Sequence, residues 1–426
     1  MTRLHDIAAH IDGYDTESLS VAVAQAFIAQ LVPRVGEAES VPLKSALGRV
    51  LASDIVSPIN VPAHDNSAMD GYALRASDLA ADVPNHLRVA GKALAGQPFA
   101  GSVAAGMCVR IMTGAVMPQG LDTVVPQELV QLADDGTVML PAGVVRAGDN
   151  RRLAGEDLRC GEAALQAGRL LRPADLGLIA SLGFADVPVV RPLRVAFFST
   201  GNELRSVGQA LEPGCLYDSN RYTLWGMLLR LGVEPIDMGI VPDDAASLEA
   251  ALRLAAECAD AVITSGGVSV GEADHTRAVM EKLGEVLFWK LAMRPGRPLA
   301  VGRIESRGHQ AILFGLPGNP VAVMVTFYAF VRDALLAMSG ATASSLPMLR
   351  AATTTAMRKR PGRTEYQRGI VSRGADGRWQ VALTGSQGSG ILRSMSLANG
   401  LIVLPHDQGN VEAGEDVDVL PFDGLV

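Results

Sequence analysis

Strands alternating with helices from position 193 to about 340 predict an open, mostly parallel α/β sheet at the centre of a multidomain α/β chain. Two more observations complete the fold class. Short Val- and Leu-containing runs broken by Gly, Pro and Asp-Gly, as at Gly101-Ser102 and Asp135-Gly136, predict a small β-rich lobe from Asn60 to about Arg146. Short alternating runs after Gly362, such as Trp379-Gln-Val-Ala-Leu and Leu401-Ile-Val-Leu, predict a C-terminal β-barrel or sandwich.

The elements follow in chain order. Ser18 to Val32 carries apolar residues at helical spacing behind Asp15, Thr16 and Ser18, and Pro33 interrupts it. Helical spacing returns from Leu165 to Gly183, so the lobe reads as an insertion into a helical connector. Leu193 to Ser199 is a short apolar run of the kind that forms a buried parallel strand, followed by the polar turn Thr200-Gly-Asn-Glu203. Tyr222 to Leu231 is helical in pattern behind Asp218-Ser219-Asn220, and Val233 to Ile240 is the next strand. Asp243 to Glu257 is an amphipathic helix, Ala261 to Thr264 a strand, and a helix runs through Met280. Ala311 to Phe314 is a strand that leads through Gly315-Leu-Pro-Gly-Asn-Pro320 into a long apolar helix.

Composition narrows the function. A chain of 426 residues with 48% apolar and 19% charged residues is a loop-rich globular protein of roughly two to four domains. Its net charge of −8 disfavours nucleic acid and anionic membranes as partners, and an anionic ligand requires a local basic pocket. Cys108, Cys160, Cys215 and Cys258 lack C-x-x-C spacing and read as ordinary buried thiols. The N-terminal Met-Thr-Arg-Leu-His-Asp carries no basic segment followed by an apolar stretch, and the apolar run Val321 to Val331 is short for a bilayer. A cytoplasmic protein is expected.

Chemistry concentrates at three strand-to-helix loops: Ser199-Thr-Gly-Asn-Glu203, Ser265-Gly-Gly-Val-Ser-Val-Gly271 and Gly315 to Pro320. In open α/β sheets the carboxyl ends of the strands form the ligand crevice, so these loops should converge. Their glycines let backbone N–H groups approach a phosphate, and the helix starts that follow add favourable partial charge. Gly201, Asn202, Ser219, Asn220, Ser265, Gly266, Gly267, Ser269, Pro317, Gly318 and Asn319 are therefore the candidate substrate-binding residues. Glu203, Asp243 or Asp244, and Asp274 fall at strand ends or helix starts, where each can be either a helix cap or a ligand to magnesium bridging phosphate and carboxylate oxygens. The run Phe288-Trp-Lys-Leu-Ala-Met-Arg-Pro-Gly-Arg-Pro298 reads as a basic loop suited to a tetrahedral oxyanion. His275, alone at a helix start, reads as structural.

Taken together, Asp65-Asn-Ser-Ala-Met-Asp-Gly-Tyr-Ala73, Arg110-Ile-Met-Thr-Gly-Ala115, Ser199 to Leu204, Ser265 to Asp274, Trp289-Lys-Leu-Ala292, Gly315 to Pro320 and Gln367-Arg-Gly369 resemble, in order, the motifs of the molybdopterin molybdenumtransferases. The resemblance spans nearly the whole chain. It implies a helical connector (1–59 and 147–192), an inserted β-rich lobe (60–146), a molybdopterin-binding α/β domain (193–340) and a C-terminal β-barrel (341–426). It also implies an elongated homodimer whose cleft joins the α/β domain and barrel of one chain to the inserted lobe of the other.

The family reaction takes adenylylated molybdopterin and molybdate, releases AMP and leaves molybdenum on the dithiolene sulfurs, with magnesium as the expected ion. By motif, Asp65, Thr113, Glu203, Asp243 and Asp274 match the family's functional acids and hydroxyl, with Asp274, Glu203 and Asp243 as the magnesium set. Lys290, Arg294, Arg297, Arg368 and Ser389 match its molybdate-contacting positions. Asp70-Gly71 is expected to shape a turn. Asn202 stands where the family commonly has Asp, and Arg294 and Arg297 stand where it commonly has Lys. A molybdopterin adenylyltransferase and apo-molybdoenzymes or their chaperones are the expected partners. The alternative is a non-catalytic scaffold of the kind found in gephyrin; a pterin adenylyltransferase is disfavoured by the inserted lobe and barrel.

Overall fold

The computed structural model describes residues 3–268, 274–342 and 346–422 and divides into two compact units. Unit 1 comprises Met1–Ala52, Gly168–Arg172 and Asp186–Val426; unit 2 comprises Ser53–Ala167 and Pro173–Ala185.

Unit 1 is built on a six-stranded sheet. In chain order its elements are β1 (Arg194–Thr200), α1 (Ser219–Arg230), β2 (Glu234–Val241), α2 (Ala245–Cys258), β3 (Ala261–Ser265), α3 (Asp274–Leu283), β4 (Gly284–Lys290), β5 (Pro298–Ser306) and β6 (His309–Leu316). The strand order is β2-β1-β3-β6-β5-β4. The β1–β2, β1–β3 and β3–β6 pairings are parallel, and β5 and β4 add antiparallel strands at one edge. The apolar runs are strands because both sheet faces are covered. Val195, Phe197, Ala261, Ile263 and Phe314 enter one core with α1, while their neighbours Ala196, Phe198, Val262 and Leu313 enter the other with α2. The amphipathic α2 contributes Leu248, Leu252, Ala255 and Ala256, the one-face spacing expected of a covering helix.

After β6 a continuous helical run, Pro320–Met338, is long and apolar enough to cross a membrane, with mean hydropathy 1.7, and 78% of that stretch is buried. It packs in the unit 1 core with the Val21–Leu31 helix. The latter is capped by Ser20, whose Oγ accepts from the Val23 N–H at 3.3 Å. Beyond Met338, five strands close into a barrel: Thr364–Arg373 pairs with Trp379–Leu383 and with Gly400–Leu404, and Leu349–Thr353 and Asp416–Pro421 complete the ring. The alternating C-terminal runs therefore resolve as a barrel.

Unit 2 holds a second six-stranded sheet, with Gly71–Leu74 paired on both sides by Met107–Ile111 and Thr123–Pro126. Gly71 shapes this contact: a Cβ there would lie 1.9 Å from the Val125 carbonyl oxygen. The unit reaches beyond positions 60–146 because Ile55–Val56 pairs with Ala163–Leu165.

Three expectations change. Of the four cysteines only Cys108 is buried, while Cys160 is exposed and Cys215 and Cys258 are half-buried. The helix expected from Leu165 begins only at Pro173, because Ala163–Leu165 is a strand and Gly168 turns the chain at a φ of +83°. Phe288–Lys290 is the end of β4 rather than loop, since its alternation places Trp289 in the core.

Candidate functional site

The carboxyl edge of the unit 1 sheet brings the three loops together. Ser199 is in register with Ser265, and Ser265 with Leu316, so the loops after β1, β3 and β6 start side by side. Between β1 and β3 the strand order reverses, the place where open α/β sheets form their ligand crevice. Asn220, in the first turn of α1, fastens the loops: its Nδ2 donates to Ser265 Oγ at 2.8 Å and to the Gly318 carbonyl at 2.7 Å. Asp218 caps α1 by accepting from the Arg221 N–H at 3.2 Å, and it also accepts from Ser199 Oγ at 2.9 Å. Gly266 and Gly267 turn with φ of +95° and +71°, and a Cβ on Gly266 would lie 2.7 Å from the Thr200 carbonyl oxygen.

Above this edge lies a cavity of about 1030 Å³. Gly201, Glu203, Ser219, Asn220, Asp243, Ser265, Gly266, Gly267, Pro317, Gly318 and Asn319 line it from the sheet side. Arg294 and Arg297 line it from the turn after β4, and Ser389 from the barrel. The barrel loop is tied to the sheet side where Ser389 O accepts from the Val321 N–H at 3.1 Å. The buried Oγ1 of Thr200 and Oδ1 of Asn220 have no hydrogen-bond partner among the described residues. Polar atoms of this kind at a cavity wall fit a ligand or water that completes them.

The paired acids after β2 separate into two jobs. Asp244 Oδ1 accepts from the Ser247 N–H at 2.9 Å and caps α2, which holds its carboxyl below the usual carboxylate range. Asp243 is left facing the cavity. Asn202 lies outside the cavity lining and joins the two acidic loops, its Oδ1 accepting from the Asp243 N–H at 3.2 Å. Among the described residues no group of three or more His, Cys, Asp or Glu is placed to hold a metal. Glu203 and Asp243 in one cavity supply hard carboxylate oxygens, a donor set that suits magnesium sharing its shell with ligand phosphates and water rather than an all-protein cage. Ser269 lies outside the described residues, as do the side chains of Asp274, the first residue of α3, and of His275.

Besides Asn202, four expected site residues are not part of the lining of the main cavity. Lys290 follows the buried Trp289 along β4 and turns away to an ion pair with Glu17. Arg368 is buried beneath the barrel loop, where Nε donates to Ser394 Oγ at 3.0 Å and Nη2 to the Gly388 carbonyl at 2.9 Å. Burial, and then the charge of Arg294, push its guanidinium down to about 10. It lines an adjoining cavity of about 210 Å³ together with Arg294 and Gln387. Asp65 and Thr113 belong to unit 2. There Asp65 accepts from the Ala154 N–H at 2.8 Å and faces Arg151 at 3.7 Å. Thr113 donates its N–H and its hydroxyl to Asp70 Oδ1, both at 2.7 Å, so Asp70 does shape its turn.

Several lining residues escaped the sequence reading: Thr200, Asp218, Arg363 and Gln387. The Gly- and Ser-rich run 385–390 and the basic run 358–363 were the available signals for the last two.

Comparison with known proteins gives an ordered set of matches. Residues 19–183 match the MoeA N-terminal region (domain I and II), residues 196–337 a "probable molybdopterin binding domain", and residues 350–422 the MoeA C-terminal region (domain IV). The chain is 44% identical over 409 residues to the molybdopterin molybdenumtransferase of Haemophilus influenzae, covering 96% of this chain and 100% of that protein. It is 36% identical to the molybdopterin molybdenumtransferase of Bacillus subtilis, with 90% of each covered. Among solved structures, the molybdopterin biosynthesis moeA protein of Pyrococcus horikoshii OT3 superimposes with a TM-score of 0.82 at 28% identity, over 95% of this chain and 100% of that one.

Proposed function

The chain belongs to the molybdopterin molybdenumtransferase family of molybdenum cofactor biosynthesis, and from that premise we propose that it transfers molybdenum from molybdate to adenylylated molybdopterin with release of AMP. The observation that carries this reading is one cavity, at the reversal of strand order, holding the carboxylates Glu203 and Asp243 together with Arg294, Arg297 and Arg363. A doubly anionic phosphoanhydride and an oxyanion repel each other, and both must be neutralised for one to be handed over beside the other. Arginines match the oxyanion by charge and by their planar donors.

The glycine turn at Gly266–Gly267 and the helix start at Ser219 present backbone N–H groups to the phosphates. Glu203 and Asp243, with Asp274, would hold magnesium, which when bound supplies positive charge to the phosphate oxygens. The residues then work by position and charge: they orient the phosphoanhydride, hold the oxyanion and exclude bulk water, with no protein nucleophile assigned. Water attacks the anhydride phosphorus, the P–O–P bond breaks and AMP leaves; two Mo–S bonds then form as one molybdate oxo group departs as water, carrying the protons of the two dithiolene thiols.

Asp65 and Thr113 enter this reading through a homodimer in which the lobe of a second copy completes the cleft. A cytoplasmic setting, a pterin adenylyltransferase upstream and apo-molybdoenzymes or their chaperones downstream belong to the same proposal. The test separates binding from transfer. Asp274→Asn should retain binding of adenylylated molybdopterin and lose AMP release; a variant that releases AMP at the parent rate would remove Asp274 from the mechanism.

A further inference from the structure

Asp70 and Thr113 sit at the same end of neighbouring strands in the unit 2 sheet, since Gly71 is in register with Ile111. Asp70 is anchored through its carbonyl, which accepts from the Gln127 N–H at 3.0 Å. The turn that carries Thr113 is laced to the loop 65–70. The Gly114 N–H donates to the Ser67 carbonyl at 2.8 Å, the Ser67 N–H to the Ala115 carbonyl at 3.0 Å and the Met117 N–H to the Asp65 carbonyl at 2.9 Å. Backbone bonds alone therefore bring the two loops together, before any side chain is counted.

The Asp70 carboxylate adds two bonds on one oxygen, from the Thr113 N–H and from the Thr113 hydroxyl, both at 2.7 Å. The first is enough to brace the turn. The second does something a turn does not require. An ionised carboxylate has no proton to give, so the hydroxyl must donate, and its lone pairs are then turned away from Asp70. The Thr113 N–H, then its hydroxyl, and more weakly the charge of Arg110 outweigh desolvation and hold the Asp70 carboxyl below the usual range, so the acceptor stays ionised at neutral pH. The same lobe shows what such an oxygen does next: Thr123 donates to Asp122 Oδ1 at 2.8 Å and in turn accepts from the Gly148 N–H at 3.0 Å. Thr113 carries the donating half of that arrangement, is exposed, and has no donor to its oxygen among the described residues.

We propose that Asp70 is a positioning residue: it commits the Thr113 hydroxyl proton, so that Thr113 meets the substrate complex as a hydrogen-bond acceptor. The group opposite must then bring a proton, as a water or a hydroxyl does; an unprotonated phosphate or molybdate oxygen would meet lone pairs. This inference rests on the function proposed above, in which Thr113 faces the cleft.

Initial rates of AMP release by the full-length protein, with adenylylated molybdopterin varied and molybdate and magnesium saturating, test it through Asp70→Ala and Thr113→Val. Each should lower kcat about tenfold with KM little changed, and the double variant should be no slower than either alone, because Asp70 acts through Thr113. Asp70→Asn and Thr113→Ser, which keep the acceptor oxygen and the hydroxyl, should retain most of the parent rate. Near-ultraviolet circular dichroism confirms that each variant is folded. Losses that multiply in the double variant, or a parent kcat in folded Asp70→Ala or Thr113→Val, overturn the proposal and leave Asp70 as a brace for its turn. If Asp70→Ala does not fold, the Thr113 pair decides: a slow Thr113→Val beside a near-parent Thr113→Ser supports the proposal, and equal rates overturn it. A parent chain that releases no AMP removes the transfer reaction and this role with it, whereas every other failure leaves the parent reaction intact.

Discussion

Single side chains decide which acids are available for chemistry. Asp243 and Asp244 look equivalent in sequence, yet capping consumes Asp244 and leaves Asp243 to the cavity. Asp243→Asn should therefore lower AMP release more than tenfold with little loss of stability, and Asp244→Ala should do the reverse, lowering the urea midpoint with transfer kept. Asn220 is the side chain on which the three loops depend. Asn220→Ala removes both of its donated bonds, exposes Ser265 Oγ and Gly318 O to the cavity, and should raise the pterin dissociation constant with a stability loss of about 1–3 kcal/mol. Parent-like binding and stability would show that the loops hold themselves. Asn202 in place of the family's Asp loses a charge but keeps the acceptor for the Asp243 N–H, so the loop geometry survives the change.

At the scale of elements, the amino ends of the strands are locked opposite the site. Asp260, just before β3, accepts from Arg191 through two bonds of 2.8 Å and from the Arg194 N–H at 2.8 Å, tying the starts of β1 and β3. Burial raises its carboxyl, but the Arg191 guanidinium and the Arg194 N–H outweigh that and hold it below the usual range. A folded value below the unfolded one stabilises the chain above the unfolded pKa of about 4 and is lost as pH falls through the folded value. Asp260→Asn should cost about 2–3 kcal/mol at pH 7, with the gap from the parent closing in acid denaturation below about pH 4. A gap independent of pH would show that shape, not charge, is what matters there.

The same elements explain what the sequence made legible. Apolar runs ending in small polar strings announced the strands and their loops, because buried parallel strands and glycine turns each leave a local signature. Arg363 and Gln387 left only the composition of a basic run and a Gly- and Ser-rich run, since they reach the cavity only when the barrel folds against the sheet. Lys290 and Arg368 were visible as cations, but strand alternation, which sequence fixes only once register is known, turns both away from the main cavity.

For the molecule as a whole, Asp65 and Thr113 sit in unit 2 while the cavity is built entirely from unit 1. If a second copy supplies them, two inactive chains can complement. Mixing Asp65→Asn with Glu203→Gln under conditions that exchange subunits should recover about a quarter of parent activity, since half of the random dimers contain one intact cleft out of two. No recovery, with exchange verified by light scattering of tagged chains, would place both acids in the cleft of one chain.

The central claim is metal transfer coupled to release of the nucleotide. The most direct measurement incubates the protein with adenylylated molybdopterin, molybdate and magnesium, and follows AMP alongside activation of a molybdenum-free apo-enzyme. The account predicts AMP and active enzyme rising together, and both requiring molybdate. A folded protein that binds the pterin, yet releases no AMP and activates nothing, would contradict it and leave a scaffold in its place.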